Sequence, residues 1–323
     1  MLSAQFPYCT NPVFLAPMAG VTDLPFREVC REMGVGYAVG EMTASKPELW
    51  DSKKSKTRWS HFPESGTKVV QLVGAIPHYM AQAAVYAQST GAQVIDINMG
   101  CPAKKVLQAA CGSALLRDRQ QVRAILQAVL AVVQIPVTLK IRTGWTDEQK
   151  NALRIALLAQ DLGISLLTIH GRTGKQGFQG QAEYDTIKMV KSHLQIPVIA
   201  NGDIISVEKA LQVYQYTHAD GVMVGRAALG NPWLLGNIAK ALAGQSYDEH
   251  VCLSERFRVI RRHWQLHYAF YGDDEVRTFR KHLSYYLRPC AVAPREMQAL
   301  LQARTKERQM DLLERIEKSL QMN

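Results

Sequence analysis

No Cys-x-x-Cys pair occurs in this 323-residue chain, and its six cysteines, Cys9, Cys30, Cys101, Cys111, Cys252 and Cys290, lie far apart with no histidine at ligand spacing. That scatter argues against zinc fingers, iron–sulfur clusters and a disulfide framework; reduced thiols and no metal are expected. Long apolar runs are also missing. The stretch 124–133 is interrupted by Gln127, and the opening Met-Leu-Ser-Ala-Gln-Phe-Pro-Tyr has no basic cluster ahead of an apolar core. Neither a membrane span nor a secretory leader is expected, which favours a cytoplasmic location. No Gly-x-Gly-x-x-Gly follows a strand pattern, because Gly34, Gly36 and Gly40 have the wrong spacing. A Rossmann reading therefore lacks its phosphate loop.

What the chain has is positive charge: 38 Lys and Arg against 28 Asp and Glu, a formal net charge of +10. Such an excess suits a polyanionic partner, since clustered cations gain affinity by releasing counterions from a phosphate backbone. Charge alone does not separate a nucleic-acid binder from an ordinary basic protein; arrangement must decide.

Short β-rich runs recur at residues 13–15, 37–39, 69–73, 94–97, 137–141, 166–169, 197–200 and 221–224. Between them, segments such as 77–89, 120–133, 151–162 and 206–216 carry apolar residues at spacings of three and four, as amphipathic helices do. Eight strand–helix units predict an α/β fold, a (β/α)8 TIM barrel over residues 1–244. From about residue 245 the pattern becomes wholly helical and rich in Arg, His and aromatics, which predicts a small all-helical C-terminal domain over 245–323. In the segment 276–288, Val276, Phe279, Leu283 and Tyr286 form one stripe and Arg277, Lys281, Ser284 and Arg288 another. One face can pack while the other meets phosphate or solvent.

A barrel of this kind builds its site at the C-terminal strand ends, and these are unusually polar here. The first run leads into Pro17, Met18 and Ala19; the second reaches Glu41; the third holds Gln71; the fourth ends in Asn98 and Cys101. The fifth holds Lys140 and Arg142, the sixth ends at His170, the seventh at Asn201, Gly202 and Asp203, and the eighth at Gly225 and Arg226. Any one of these has an ordinary reading: Cys101 as a small buried hydrophobe, Lys140 as a buried ion-pair partner, His170 as a satisfied core imidazole. Their convergence favours a ligand site. Cys101 stands between Gly100 and Pro102, just past a strand, where a thiol is placed for chemistry. The small turns at Gly202 and Gly225 suit a phosphate-bearing cofactor, and Lys140 with Gln71 would face a heteroaromatic ring.

Ala16-Pro-Met-Ala-Gly-Val-Thr-Asp23, Ile95-Asp-Ile-Asn-Met-Gly-Cys-Pro-Ala-Lys-Lys-Val106, Thr138-Leu-Lys-Ile-Arg-Thr-Gly-Trp145, Thr168-Ile-His-Gly-Arg-Thr173, Ile199-Ala-Asn-Gly-Asp203 and Met223-Val-Gly-Arg-Ala-Ala228 together resemble the tRNA-dihydrouridine synthases, most of all their bacterial B branch. The resemblance implies FMN at the barrel mouth, NADPH or NADH as reductant, and reduction of a D-loop uridine in the tRNA D-arm to 5,6-dihydrouridine. It implies that Cys101 delivers the proton to C5 of the uracil. FMN contacts would come from Pro17, Met18, Ala19, Gln71, Lys140, His170, Asn201, Gly202, Asp203, Gly225 and Arg226. Asn98 would orient the uracil, and Lys104, Lys105, Arg142, Arg172, Arg277, Arg280 and Lys281 would anchor the RNA.

Three positions depart from the family pattern: the apolar stretch 107–111 after Lys105, Gly40 where Ser or Thr is usual, and Tyr285 where the B branch carries Trp. Two other readings fit the barrel, an FMN oxidoreductase acting on a small molecule and a non-catalytic tRNA-binding factor. The basic helical extension speaks against the first. The set Cys101, Lys140 and His170 speaks against the second.

Overall fold

The structure, a computed structural model, describes residues 2–59, 64–273 and 275–322, without the side chains of residues 53 and 54. Among the described residues, nine strand segments form one parallel sheet: β1 (Val13–Leu15), β2 (Tyr37–Ala38), β3 (Thr43–Ala44), β4 (Val69–Val73), β5 (Val94–Met99), β6 (Val137–Arg142), β7 (Leu166–His170), β8 (Val198–Asn201) and β9 (Gly221–Val224). Their order is β2-β1-β9-β8-β7-β6-β5-β4-β3. The two ends of that order, β2 and β3, are adjacent in sequence, so the sheet closes on itself as the expected (β/α)8 barrel.

One detail differs from the eight runs read in the sequence. The second strand is broken: its first half pairs with β1 and its second half with β4. Gly40 lies in the break, and a Cβ there would stand 3.3 Å from both Arg27 Nη1 and Val69 O. A larger residue at this position would crowd that approach. The strands are short, β-branched and buried on both faces, as parallel strands must be when helices cover the outside and side chains fill the inside.

The helices between the strands start and stop on local signals. Asp118 accepts from the amides of Gln120 and Gln121 to cap Arg119–Leu130, Ser206 caps Val207–Thr217 through Lys209 N, and Asp23 caps Leu24–Glu32 through Phe26 N. Their apolar faces bury Val122, Ile125, Leu126 and Val129, then Val207, Ala210 and Val213, against the outer face of the sheet.

Inside the barrel the lower layer is apolar: Phe14, Tyr37, Val39, Val69, Val94, Leu166, Ile199 and Met223. Polar residues stand above it, starting with Gln71, Asp96, Thr138 and Thr168, all buried. Residues 2–10, where the sequence pattern indicates no element, form the short helix Leu2–Gln5 and place Leu2, Phe6 and Cys9 against that lower layer. They plug the barrel floor.

Past the helix Trp233–Leu242, four helices follow: Leu253–Tyr271, Val276–Leu287, Pro294–Gln302 and Lys306–Gln321. They share a second core of Phe257, Ile260, Phe279, Leu283, Tyr286, Leu300, Leu313 and Ile316, which Val29 of the barrel helix Leu24–Glu32 also joins. The helical region is thus seated on the barrel through that helix, and Arg262 reaches across to Glu32 at 2.7 Å. Among the described residues no helix is long and apolar enough to cross a membrane.

Removing the plug should be costly. Phe6→Ala empties an almost fully buried aromatic site, and a loss of about 3–5 kcal/mol is expected. Urea unfolding of the variant checks this; a midpoint within error of the parent would show that the N-terminal segment carries no part of the core.

Candidate active site

Strand periodicity determines which side chains enter the barrel. Along β6, Thr138, Lys140 and Arg142 alternate with Leu139 and Ile141, and the latter pair joins the core outside the sheet. Lys140 therefore points into the mouth. It is only 9% exposed, and its Nζ donates to Asn201 Oδ1 at 2.8 Å. Burial, helped by the neighbouring Arg142 charge, pulls its pKa down to about 8. A buried ammonium whose partner is a neutral amide is well matched to an anion placed above it.

Below Lys140 runs a chain of buried side-chain bonds. Thr138 Oγ1 donates to Asp96 Oδ1 at 2.6 Å, Gln71 Nε2 donates to Asp96 Oδ2 at 2.6 Å, and Asn98 Nδ2 donates to Gln71 Oε1 at 2.8 Å. Asn98 Oδ1 accepts the amides of Gly100 at 3.1 Å and Cys101 at 2.9 Å. Asn98 is thus the bracket of the Gly100–Cys101 turn, with its Oδ1 and one Nδ2 hydrogen engaged inside the protein.

The same turn is held from two other sides. Arg142 Nε donates to Gly100 O at 2.6 Å, and Cys101 O accepts from Ser113 N at 3.1 Å and Ser113 Oγ at 3.2 Å. Gly112, at φ +62°, passes so close that a Cβ would lie 2.5 Å from Cys101 O. The half-buried Cys101 thiol projects from a backbone with little freedom. Burial raises its pKa above the usual thiol value, with Ala103 N, Arg142 and Lys140 opposing. At neutral pH it carries its proton, as a proton donor must.

Two arginines expected to anchor RNA near the rim are buried. Arg142 is 1% exposed, and its Nη1 donates to the carbonyls of Thr173 and Gly177 at 2.9 and 2.7 Å. Arg172 is 2% exposed, with donors on Gln179 O, Gly180 O and Asp203 Oδ2. Both pin the 173–180 loop over the mouth, because a buried guanidinium requires acceptors and backbone carbonyls supply them. Arg280 is half-buried, and its Nη2 turns back to Ala303 O within the helical region. By contrast Lys104, Lys105, Arg277 and Lys281 are exposed. Lys281 Nζ donates to Gly20 O at 3.1 Å, and Gly20 N donates to Glu41 Oε1 at 2.5 Å, so the first barrel loop is moored to the helical region at the rim.

The remaining site residues gather at the other side of the mouth. His170 ends β7, and burial together with Lys140, Arg142, Arg172 and Arg226 lowers its pKa to about 2, leaving a neutral imidazole. Asp203, at φ +46°, accepts from Arg172 at 2.6 Å and Ala182 N at 2.9 Å and pairs with Arg226 at 3.5 Å. Gly202, at φ +122°, has His170 Cδ2 3.2 Å from where a Cβ would be. At Gly225 a Cβ would meet only Ala16 Cβ at 3.7 Å and Met18 Sδ at 3.8 Å, so the Pro17-Met18-Ala19 turn lies beside it.

Phe178 went unnoticed in the sequence. It is 59% exposed, with the Arg142 and Arg226 guanidinium carbons 5.6 and 5.4 Å from its ring centroid. An aromatic inside the glycine-rich stretch Gly174 to Gly180, directly after a strand-ending His-Gly-Arg, was the available signal.

Comparison with known proteins adds the following. The family model described as dihydrouridine synthase (Dus) matches residues 14–321. The chain is 49% identical over 278 residues to tRNA-dihydrouridine synthase B of Pasteurella multocida (strain Pm70), covering 86% of this chain and 84% of that one. It is 51% identical over 282 residues to the protein of the same name from Xanthomonas axonopodis pv. citri (strain 306), covering 87% and 85%. With that of Vibrio cholerae the identity is 47% over 305 residues, covering 94% and 95%. Among solved structures, histamine dehydrogenase from Rhizobium sp. 4-9 superposes with a TM-score of 0.54 at 12% identity, over 80% of this chain and 49% of that one, which is a likeness of barrel fold.

The bracket at the turn is open to a direct test. In Asn98→Ala the buried amides of Gly100 and Cys101 lose their shared acceptor, and a destabilisation of about 1–3 kcal/mol is expected in urea unfolding. A midpoint equal to that of the parent would remove Asn98 from the turn's support.

Proposed function

Because the chain belongs to the dihydrouridine synthase family, we propose that it is a cytoplasmic, FMN-dependent enzyme that reduces a D-loop uridine of tRNA to 5,6-dihydrouridine with NADPH or NADH as reductant. The observation that carries this reading is the placement of a protonated, rigidly held Cys101 thiol at the edge of a cation-rich mouth.

The residues at the mouth fit the cofactor. Lys140, Arg226 and the buried Arg142 and Arg172 surround His170, while Asp203 is the carboxylate among them and is shared by two arginines. Such a surplus of positive charge suits a phosphate and an anionic ring. Gly202 and Gly225 with Arg226 would take the phosphate, Met18 and Ala19 would pack on the ring system, and Lys140 would face its polar edge. Gln71, one layer lower, would act through Asn98 and the floor of the pocket. Bound and reduced, FMN supplies a hydride to C6 of the uracil.

The protein's own task is then to finish the reduction. Cys101 gives its Sγ proton to C5 as C6 receives hydride, and solvent returns a proton to the thiolate. Asn98 and Arg142 hold the turn so that the sulfur stays aimed while the base is in place. Because His170 is neutral, it does not compete as an acid; it can orient a carbonyl or a ring nitrogen by hydrogen bonding. The target nucleotide must leave its stack to reach this depth. Phe178, braced by two guanidinium groups, offers a face for an extruded base, and Lys104, Lys105, Arg277 and Lys281 lie where a phosphate backbone would cross the rim.

Cys101→Ala should bind FMN with the flavin absorbance of the parent while tRNA reduction falls by about 10²–10⁴-fold; dihydrouridine mapping on unmodified tRNA measures it, and parental turnover would sink the assignment. A second expectation concerns pH. The Lys140 ammonium is present below its pKa of about 8 and lost above it, so FMN affinity should be greatest below pH 8 and decline above. Fluorescence titration should show Lys140→Met binding weakly and with that decline flattened; an unchanged pH profile would separate Lys140 from the cofactor.

A further inference from the structure

Where the helical region meets the barrel, Asp23, His263 and His282 each present a side-chain ligand atom within 4.8 Å of the others. Asp23 caps the barrel helix Leu24–Glu32, His263 comes from Leu253–Tyr271 and His282 from Val276–Leu287. The imidazoles are fully buried, at 0% and 2% exposure. One nitrogen on each, His263 Nε2 and His282 Nδ1, is enclosed without a hydrogen-bond partner. Buried polar atoms are nearly always satisfied, and two orphaned nitrogens beside one carboxylate call for a missing group.

We propose that Asp23, His263 and His282 bind a zinc-class divalent cation that ties the barrel to the helical region. The second shell has the form such a site requires. His263 Nδ1 is 3.1 Å from Tyr286 Oη, and with that hydrogen directed at the phenol, Nε2 carries the lone pair a metal needs. Asp23 Oδ1 accepts from Phe26 N and Oδ2 from Tyr271 Oη, both at 3.0 Å, which fixes the carboxylate while leaving lone pairs unused. Phe26 lies against both imidazoles, its ring centroid 5.5 Å from that of His263 and 5.1 Å from that of His282, and holds their planes.

Two imidazole nitrogens and a carboxylate oxygen form the donor set of open zinc sites, with water as the fourth ligand. At zinc–ligand distances of about 2.0–2.1 Å the three atoms must draw in by about an ångström, within the reach of side-chain torsions. His267, one turn along from His263, is outside the group; its Nε2 faces Glu275 O at 3.1 Å and Thr278 Oγ1 at 3.0 Å. The spacing hid the site in the sequence: its members come from three helices and lie 19 or more positions apart.

The test uses the full-length protein. Elemental analysis after extensive desalting should give about one zinc per chain, or that stoichiometry should return when ZnCl2 is added after chelator dialysis, with a rise in Tm. Loading CoCl2 instead should give the visible d–d bands of a low-coordinate nitrogen–oxygen site. His282→Gln should abolish the stoichiometric site, and Tyr271→Phe, which removes the donor to Asp23, should weaken zinc by about tenfold or more. Less than a tenth of a zinc per chain with no Tm response to ZnCl2, which would mean a buried water only, overturns the proposal. Equal zinc binding by the parent and a folded His282→Gln, which would mean surface binding, does so too. Should that variant fail to fold, the cobalt spectrum and zinc stoichiometry of the parent decide.

Discussion

Everything at the mouth of this barrel depends on how two side chains from neighbouring strands hold one turn. Asn98, the next-to-last residue of β5, accepts the Gly100 and Cys101 amides, while Arg142 ends β6 and donates to the Gly100 carbonyl. The ladder between β5 and β6 sets their spacing, with Asn98 opposite Lys140 and Met99 opposite Ile141. A one-residue slip of β6 would turn Lys140 and Arg142 out of the barrel, and a slip of β5 would do the same to Asn98. Sheet register, cation placement and thiol position are therefore one constraint.

The arginine pair shows how the same charge serves two ends. Arg142 and Arg172 are buried and fastened to loop carbonyls, yet their charge still acts on the cavity, where it helps lower the pKa of His170. Their fixed carbonyl partners close the 173–180 loop and brace Phe178, so the cations shape the pocket and set its potential without touching bulk solvent. The exposed cations, Lys104, Lys105 and Arg277, lie outside that shell, where screening by salt is strong and a mobile polyanion is the natural partner.

Much of the architecture was legible in the sequence. The eight strand runs, the helices 77–89 and 206–216 and the polar strand ends all follow from periodicity and from Gly and Pro placement, which are local properties. The broken second strand was not legible, because the neighbours that bound Gly40, Arg27 and Val69, come from other parts of the chain. The N-terminal plug was missed for a similar reason: Leu2 and Phe6 form no pattern by themselves, and only the open floor of a closed barrel gives them a place.

The amino-acid sequence by itself determined the barrel, the set of residues at its mouth and the family resemblance, since strand alternation and short contiguous motifs encode them. The tertiary structure alone decided which partners each member of that set meets inside the protein. Asn98, Arg142, Arg172 and Arg280 read as contacts in the sequence and in the fold also tie parts of the chain together, which only the packed neighbours could reveal. The cluster of Asp23, His263 and His282 exists only once three distant helices pack, so no local pattern could announce it.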